Sequence, residues 1–168
     1  MAAGSTYTPI ATTTLGSAAA TVTLSSISGT YTDLVLVIST RFAGGGGASA
    51  IQAQFNSDSG SNYSSTVLTG NGSTASSFRD TSATSAAFGL AIDTAGEFAT
   101  SIIQLQNYSN TTTYKTILCR SNIASDRVRA IVSLWRSTSA ITSIYLQNNG
   151  ATNFVAGSTF TLYGIAAA

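Results

Sequence analysis

Residues 101–136, SIIQLQNYSNTTTYKTILCRSNIASDRVRAIVSLWR, decide the fold: they read as three consecutive strands joined by two polar turns. In the first, Ile103, Leu105 and Asn107 share one mostly apolar face. Ile102, Gln104, Gln106 and Tyr108 turn progressively polar on the other, the two-residue period of a half-buried strand. A turn follows over residues 107–111. The second run, 114–120, alternates again. The third, 128–136, sends Val128, Ala130, Val132 and Leu134 one way and Arg129, Ile131, Ser133 and Trp135 the other. Three strands in a row form a meander, so the sheet here is expected to be antiparallel. The same stretch holds the only Cys, the only Trp and five of the seven positive charges.

Outward from this stretch the strand pattern continues in both directions. Residues 7–15 are extended, because Pro9 fixes its own φ and disfavours helix at Thr8, and Thr12 to Thr14 are β-branched. They are read as an edge strand, or as one exchanged with a partner, preceded by the small-residue arm MAAGST. That arm and the Ala166 to Ala168 tail have little to pack against on their own and are expected to be held by neighbouring chains. Residues 21–24 follow, then a turn at Ser28-Gly29. Residues 31–41, YTDLVLVISTR, are apolar on both faces from Leu34 to Ile38, as a strand in mid-sheet should be. Residues 50–56 place Ile51, Ala53 and Phe55 inward against Gln52 and Gln54. Residues 64–87 lack a clear pattern and are expected to be short strands and long loops. Residues 88–92 and 98–106, then 141–147 and 158–165, complete about nine or ten strands, with no convincing helix. The expected fold is all-β, an antiparallel β-sandwich of jelly-roll type. Residues 1–15 form its extended arm or edge strand and residues 16–168 a single domain.

Composition narrows the function. The chain of 168 residues is long enough to bury about 70% of the surface it would expose unfolded. Hydrophobic residues make up 43% but charged ones only 8%, with a net charge of +1. No basic excess draws it to nucleic acid or an anionic membrane, and such a weakly self-repelling surface suits a protein living inside an assembly. The N-terminus has neither the positive nor the apolar region of a signal peptide, and no apolar run approaches the ~18 residues of a membrane helix. One cysteine, Cys119, excludes an intramolecular disulfide and a cysteine-cluster metal site, and is read as packing. The absence of histidine removes the usual acid–base group and the commonest metal ligand. The N-x-[ST] sequons at Asn62, Asn71, Asn107 and Asn110 are read as unused without a secretion signal.

Each residue with chemistry has a plainer reading beside it. The run AGGGGAS at residues 43–49 lacks the Lys-Ser/Thr and helix of a phosphate loop and reads as a loop tip. Asn56, Asp58, Gly60 and Asn62 form an oxygen-rich turn with too few carboxylates for calcium, so an Asx-turn is expected. Among the acids only Asp93 and Glu97 are close in sequence, and they flank a Gly turn where solvated acids are common. A glycosidase-like pair is disfavoured, and with it an enzyme. Asp33 is read as a cap or an arginine partner. Trp135 has the chemistry of a sugar platform but, among Leu134, Val132 and Ile131, reads as core or as a subunit-interface aromatic. Lys115, Arg120, Arg127, Arg129 and Arg136 lie on two adjacent strands and their connection, where pairing brings them onto one face as a positive stripe or disperses them into ion pairs. No cofactor or metal is expected.

The segments TYTPIATTTL, TYTDLVLV, QFNSDSGSNYS, QNYSNTTTYKT, LWRSTSAITSI and GSTFTLYGI give nearly the whole chain a resemblance to short virion proteins of tailed bacteriophages, especially cyanophages. The resemblance implies a jelly-roll sandwich built into the particle as a trimer, either cementing the capsid or forming part of a tail fibre or receptor-binding tip. The expected partners are further copies of the chain and the major capsid protein or other virion proteins. The expected place is the capsid surface, alternatively the tail. Candidate contacts are Tyr7, Pro9 and Ile10 of the arm and the five basic residues, with Trp135 as the candidate interface aromatic. No functional residue carries over from the resemblance.

Overall fold

The computed structural model describes residues 6–44, 47–94, 96–150 and 152–166. These residues form twelve strands and no helix: β1 (Tyr7–Thr14), β2 (Thr21–Leu24), β3 (Asp33–Thr40), β4 (Ala48–Phe55), β5 (Tyr63–Gly70), β6 (Ala75–Ala83), β7 (Ala86–Ile92), β8 (Ala99–Gln106), β9 (Lys115–Ile123), β10 (Arg127–Trp135), β11 (Ile144–Asn148) and β12 (Thr159–Ile165). They build an eight-stranded sheet, ordered β1-β12-β3-β8-β9-β10-β5-β6, facing a four-stranded sheet, β2-β11-β4-β7. Every pairing between these strands is antiparallel. The fold is an all-β antiparallel sandwich.

The meander β8-β9-β10 lies where the sequence places it, and β3 is interior, between β12 and β8. Leu34, Leu36 and Ile38 of β3 are fully buried beneath the short sheet, and Val35 on the opposite face is buried too. Two expectations need correction. Residues 64–87 are regular: β5 and β6 form a long hairpin, whose Ser and Thr residues hide the alternation because several of them point inward. Tyr108 does not continue the polar face of β8. Asn107 takes a left-handed φ of 52°, which turns the chain so that Tyr108 is buried and its hydroxyl donates to the Ser28 carbonyl. The N-terminal strand is an edge strand of the long sheet, where β1 pairs with β12 from Tyr7↔Ile165 to Thr14↔Thr159, with a bulge between Pro9 and Ala11. The arm before residue 6 and the end of the tail lie outside the described residues.

One continuous core joins the sheets, with Phe55, Phe88, Ile144 and Leu146 from the short sheet meeting Ile103, Leu105, Ile117, Ile131, Trp135 and Phe160 from the long one. The short sheet ends at β7, whose outer edge lacks a strand partner. That edge packs instead across β8, β9 and β10. Its backbone polar groups therefore need other partners, since a buried unpaired amide costs about 1–3 kcal/mol. A row of small polar side chains on the long sheet supplies them. The Ala87 N–H donates to Ser65 Oγ at 3.2 Å, and Ser133 Oγ donates to the Ala87 carbonyl at 3.0 Å. Ser65 and Ser133 are 2.8 Å apart. With the Ser133 proton engaged, Ser65 is the donor between them, and the loop of bonds closes. The Leu90 N–H donates to Ser121 Oγ at 2.8 Å, and Ser121 pairs with Ser101 at 2.7 Å. Cys119 Sγ donates to the Phe88 carbonyl at 2.8 Å. These serines are cross-strand partners, Ser65↔Ser133 and Ser101↔Ser121.

Such close approach leaves no room for a side chain at Gly89, where a Cβ would lie 2.1 Å from Ser101 Oγ and the φ is 151°. Gly89→Ala is expected to destabilise the protein by about 2–4 kcal/mol in urea unfolding, combining backbone strain with overpacking. Gly70→Ala, where a Cβ would meet only Val128 Cγ2 at 3.9 Å, should stay within about 0.5 kcal/mol of wild type.

Candidate functional site

The long sheet has an outer face as well as a core face, and over β8, β9, β10 and β5 that face is apolar. The registers Ile102↔Arg120, Arg120↔Ala130 and Ala130↔Leu68 form one row across four strands. The next row runs Gln104, Leu118, Val132 and Thr66, and the one on the other side Thr100, Asn122, Val128 and Gly70. Val128 and Leu68 are 59% and 56% exposed, and Ile102, Leu118 and Val132 are exposed too. Two adjoining depressions of about 610 and 460 Å³ share Leu68, Ile102, Arg120 and Ala130. Scattered exposed aliphatics need no explanation, but a contiguous concave set is the mark of a contact surface.

Arg120 stands in the middle of this face, exposed. Its guanidinium has no hydrogen bond or ion pair among the described residues, unlike those of the other arginines on β10 and its flanks. Of the charged side chains on β8, β9, β10, β5 and β6, only Arg120 and Arg79 point outward, Arg79 lying beside Thr66 in register. The face therefore carries positive charge without an acid to match it. An arginine set among aliphatic groups is the composition of an interface hot spot.

The other residues singled out from sequence are accounted for within the chain. The five basic residues do not form a stripe, because they fall on different faces and most are engaged. Lys115 points inward and is 2% exposed, its amine donating to the Thr113 and Thr138 carbonyls at 2.8 and 3.2 Å. Burial pushes its pKa down. Arg127 pairs with Asp126 at 2.6 Å. Arg129 donates to Thr69 Oγ1 at 3.2 Å, and burial followed by the nearby Arg127 lowers its pKa. Arg136 donates to the carbonyls of Ser61, Tyr63 and Thr81, tying the β4–β5 loop to β5 and β6. Asp33 has no arginine partner and instead accepts the Asn107 N–H at 2.6 Å, holding the turn after β8.

Trp135 is core rather than an interface aromatic or ligand platform. At 2% exposure it stacks on Tyr63 with 6.4 Å between ring centroids and sits 5.3 Å from the Phe55 ring. Its indole N–H donates to Asp58 Oδ2 at 2.7 Å, while Asp58 Oδ1 accepts from the Gly60 N–H at 2.9 Å, the expected Asx-turn. Partial burial raises the Asp58 pKa, but the bonds from Trp135, Gly60 and Asn62 together outweigh it and hold the carboxyl below its ordinary value. Tyr63 donates to the Asp58 carbonyl and accepts the Phe55 N–H, and burial pushes its pKa up to about 12. Glu97 accepts from the hydroxyl and N–H of Ser125, and Asp93 from the Gly47 N–H, so each acid holds a separate loop. No group of three or more metal-ligating side chains occurs among the described residues. Of the arm residues, Ile10 packs partly against the core, while Pro9 and Tyr7 are exposed, Tyr7 edge-on to Tyr163 at 6.1 Å.

The aliphatic outer face was missed in sequence although its signal is present. Ile102, Leu118, Val128, Val132 and Leu68 occupy the alternate phase to the core residues of their strands, making those strands apolar on both sides without a second layer to cover them. No family model, curated protein or solved structure matches the chain.

Asp58 gives the fold an acid limit. A carboxyl with a lowered folded pKa contributes fully above its unfolded value of about 3.9 and loses that contribution as pH falls through the folded value. Asp58→Asn should cost about 1–2 kcal/mol at neutral pH, allowing for solvent screening, and flatten the loss of stability on acidification followed by fluorescence. The thiol of Cys119, raised to about 12 by burial, and the buried amine of Lys115 should both resist labelling in the native protein and react on unfolding. Mass spectrometry after thiol and amine reagents checks this, and rapid native labelling of Cys119 would mean that the β7–β9 contact opens readily.

Proposed function

We propose that this chain is a non-enzymatic structural protein of a bacteriophage particle, a trimeric capsid cement or decoration protein that stabilises the shell. The single observation that carries this reading is the unpartnered apolar outer face, set on a sandwich with almost no net charge. Such a face is costly to leave in water, at about 25 cal/mol per Å² of apolar surface, and its cost is removed only in an assembly. The resemblance of its segments to virion proteins supports the particle as that assembly. So does the way the chain changes sheets, since β2, β4, β7 and β11 lie in the short sheet and the strands between them in the long one, a repeated crossing of the kind a jelly roll makes. Asp33, Asp58, Asp93 and Glu97 are occupied in holding loops and Asp126 in an ion pair with Arg127, which supports a role in binding rather than turnover.

A protein that binds assembled capsomers and not dissociated ones stabilises the shell by mass action, by ~2.7 kcal/mol per site at a hundredfold excess over Kd. The outer face replaces the basic stripe as the contact surface in this reading. A second reading, a tail-fibre or receptor-binding tip that recognises host glycans, is favoured by one feature. The outer face of the short sheet presents Thr21, Thr23, Gln52, Gln54, Tyr145 and Gln147 in register, uncharged and rich in amides and hydroxyls.

Virions lacking the protein should lose infectivity at lower temperature and at lower salt than wild type, with purified protein restoring resistance. Equal resistance overturns the cement role. Loss of adsorption without loss of resistance, together with binding of the purified protein to host lipopolysaccharide, would establish the second reading.

A further inference from the structure

The occupant of the outer face is the next question, and the structure contains a segment shaped for it. The strand β6 is an edge strand of nine residues, paired only with β5 and exposed along nearly its whole length. It overhangs because the short sheet stops at β7. On its inward side, Phe78 lies opposite Val67 and Asp80 opposite Ser65. Phe78 is 53% exposed even though it points toward the side where the core lies. Asp80 makes no hydrogen bond or ion pair among the described residues. An exposed edge strand bearing an exposed aromatic and an unmatched acid is a liability unless something covers it.

We infer that β6 of one copy docks its inward side on the outer face of a second copy, with Phe78 in the aliphatic groove and Asp80 against Arg120. Three observations carry this. The first is charge: the outer face offers Arg120 without an acid, and the inward side of β6 offers Asp80 without a base. A two-fold contact of outer face against outer face would instead oppose like charges, which disfavours it. The second is spacing. Phe78 and Asp80 are two residues apart on one face of a strand, about 6.7 Å along it. Leu118 and Arg120 are two apart on one face of β9, so Asp80 over Arg120 brings Phe78 over Leu118 and its neighbour Val132. The third is geometry: donor and acceptor surfaces lie on different parts of the molecule. The contact is therefore head-to-tail, the overhang of each copy lying on the next like a roof tile, and such contacts close into rings when the rotation allows.

This inference deepens the assembly reading and rests on self-association alone, not on the chain's belonging to a phage. Its test is the mass of the purified full chain by light scattering and sedimentation, with circular dichroism confirming that each variant folds. Wild type is expected to be an oligomer. Asp80→Arg and Arg120→Asp should each weaken association by about ten- to a hundredfold, and the double reversal should recover most of that loss. Phe78→Ser and Leu68→Ser should each weaken it by about tenfold or more. All four positions are exposed, so folding is not at stake. A wild type monomeric up to millimolar concentration overturns the inference. So does an oligomer indifferent to the single reversals, or a double variant no better than either single. None of these results bears on the virion heat test, since a capsid protein could still cover the outer face. A failed heat test likewise leaves the head-to-tail contact standing.

Discussion

The sandwich depends on how the free edge of β7 is satisfied. A four-stranded sheet laid against an eight-stranded one must end somewhere over the middle of its larger neighbour, and there its last strand turns buried amides and carbonyls toward side chains instead of toward another strand. In most sandwiches that edge meets solvent or a loop. Here it meets Ser65, Ser101, Cys119, Ser121 and Ser133, projecting from four strands of the long sheet, and no buried side-chain nitrogen or oxygen among the described residues lacks a partner. The hydroxyls cost little to bury because each is hydrogen-bonded, those of Ser65, Ser121 and Ser133 twice, and they hold two sheets at a distance that ordinary apolar side chains would prevent. Trp135 fixes the other crossing. Its bond to Asp58 and its stack on Tyr63 secure the loop where the chain passes from β4 in the short sheet to β5 in the long one.

Much of the fold is legible from alternation alone. The three strands of residues 101–136 and the doubly apolar β3 declare themselves because Ile, Leu and Val mark their faces. What was hidden was hidden by serine. A serine in a strand reads as surface, and the β5–β6 hairpin looked formless because its inward positions include Ser65, buried for hydrogen bonding and not for hydrophobicity. Cys119, read as packing, is also a donor. The five basic residues looked like a group by proximity in sequence, yet strand parity sends Lys115 inward and Arg120 outward. The left-handed turn at Asn107 likewise reverses the side on which Tyr108 emerges, which no two-residue period could reveal.

The outer face shows the complementary weakness of pattern reading. Alternation identifies a second apolar phase but not whether a layer covers it. That depends on where the short sheet ends, which is a matter of topology. The same limit applies to β6, whose residues are unremarkable in sequence and become notable only because most of them lie beyond the edge of the short sheet. Candidate contacts therefore come from the difference in width between the two sheets more than from any motif.

That difference in width has a geometric consequence of its own. Neighbouring strands in a sheet are rotated by about 20–25°, so the seven steps from β1 to β6 compound to roughly 140–175°. A four-stranded sheet cannot follow such a rotation across its whole extent, and the long sheet must curl away from it at the margins. The wing carrying β6 thus presents its inner side in a direction quite different from that of the central strands. Copies joined through that wing would be set at a large angle to one another rather than stacked flat, a curvature written into the sheet by the handedness of its amino acids.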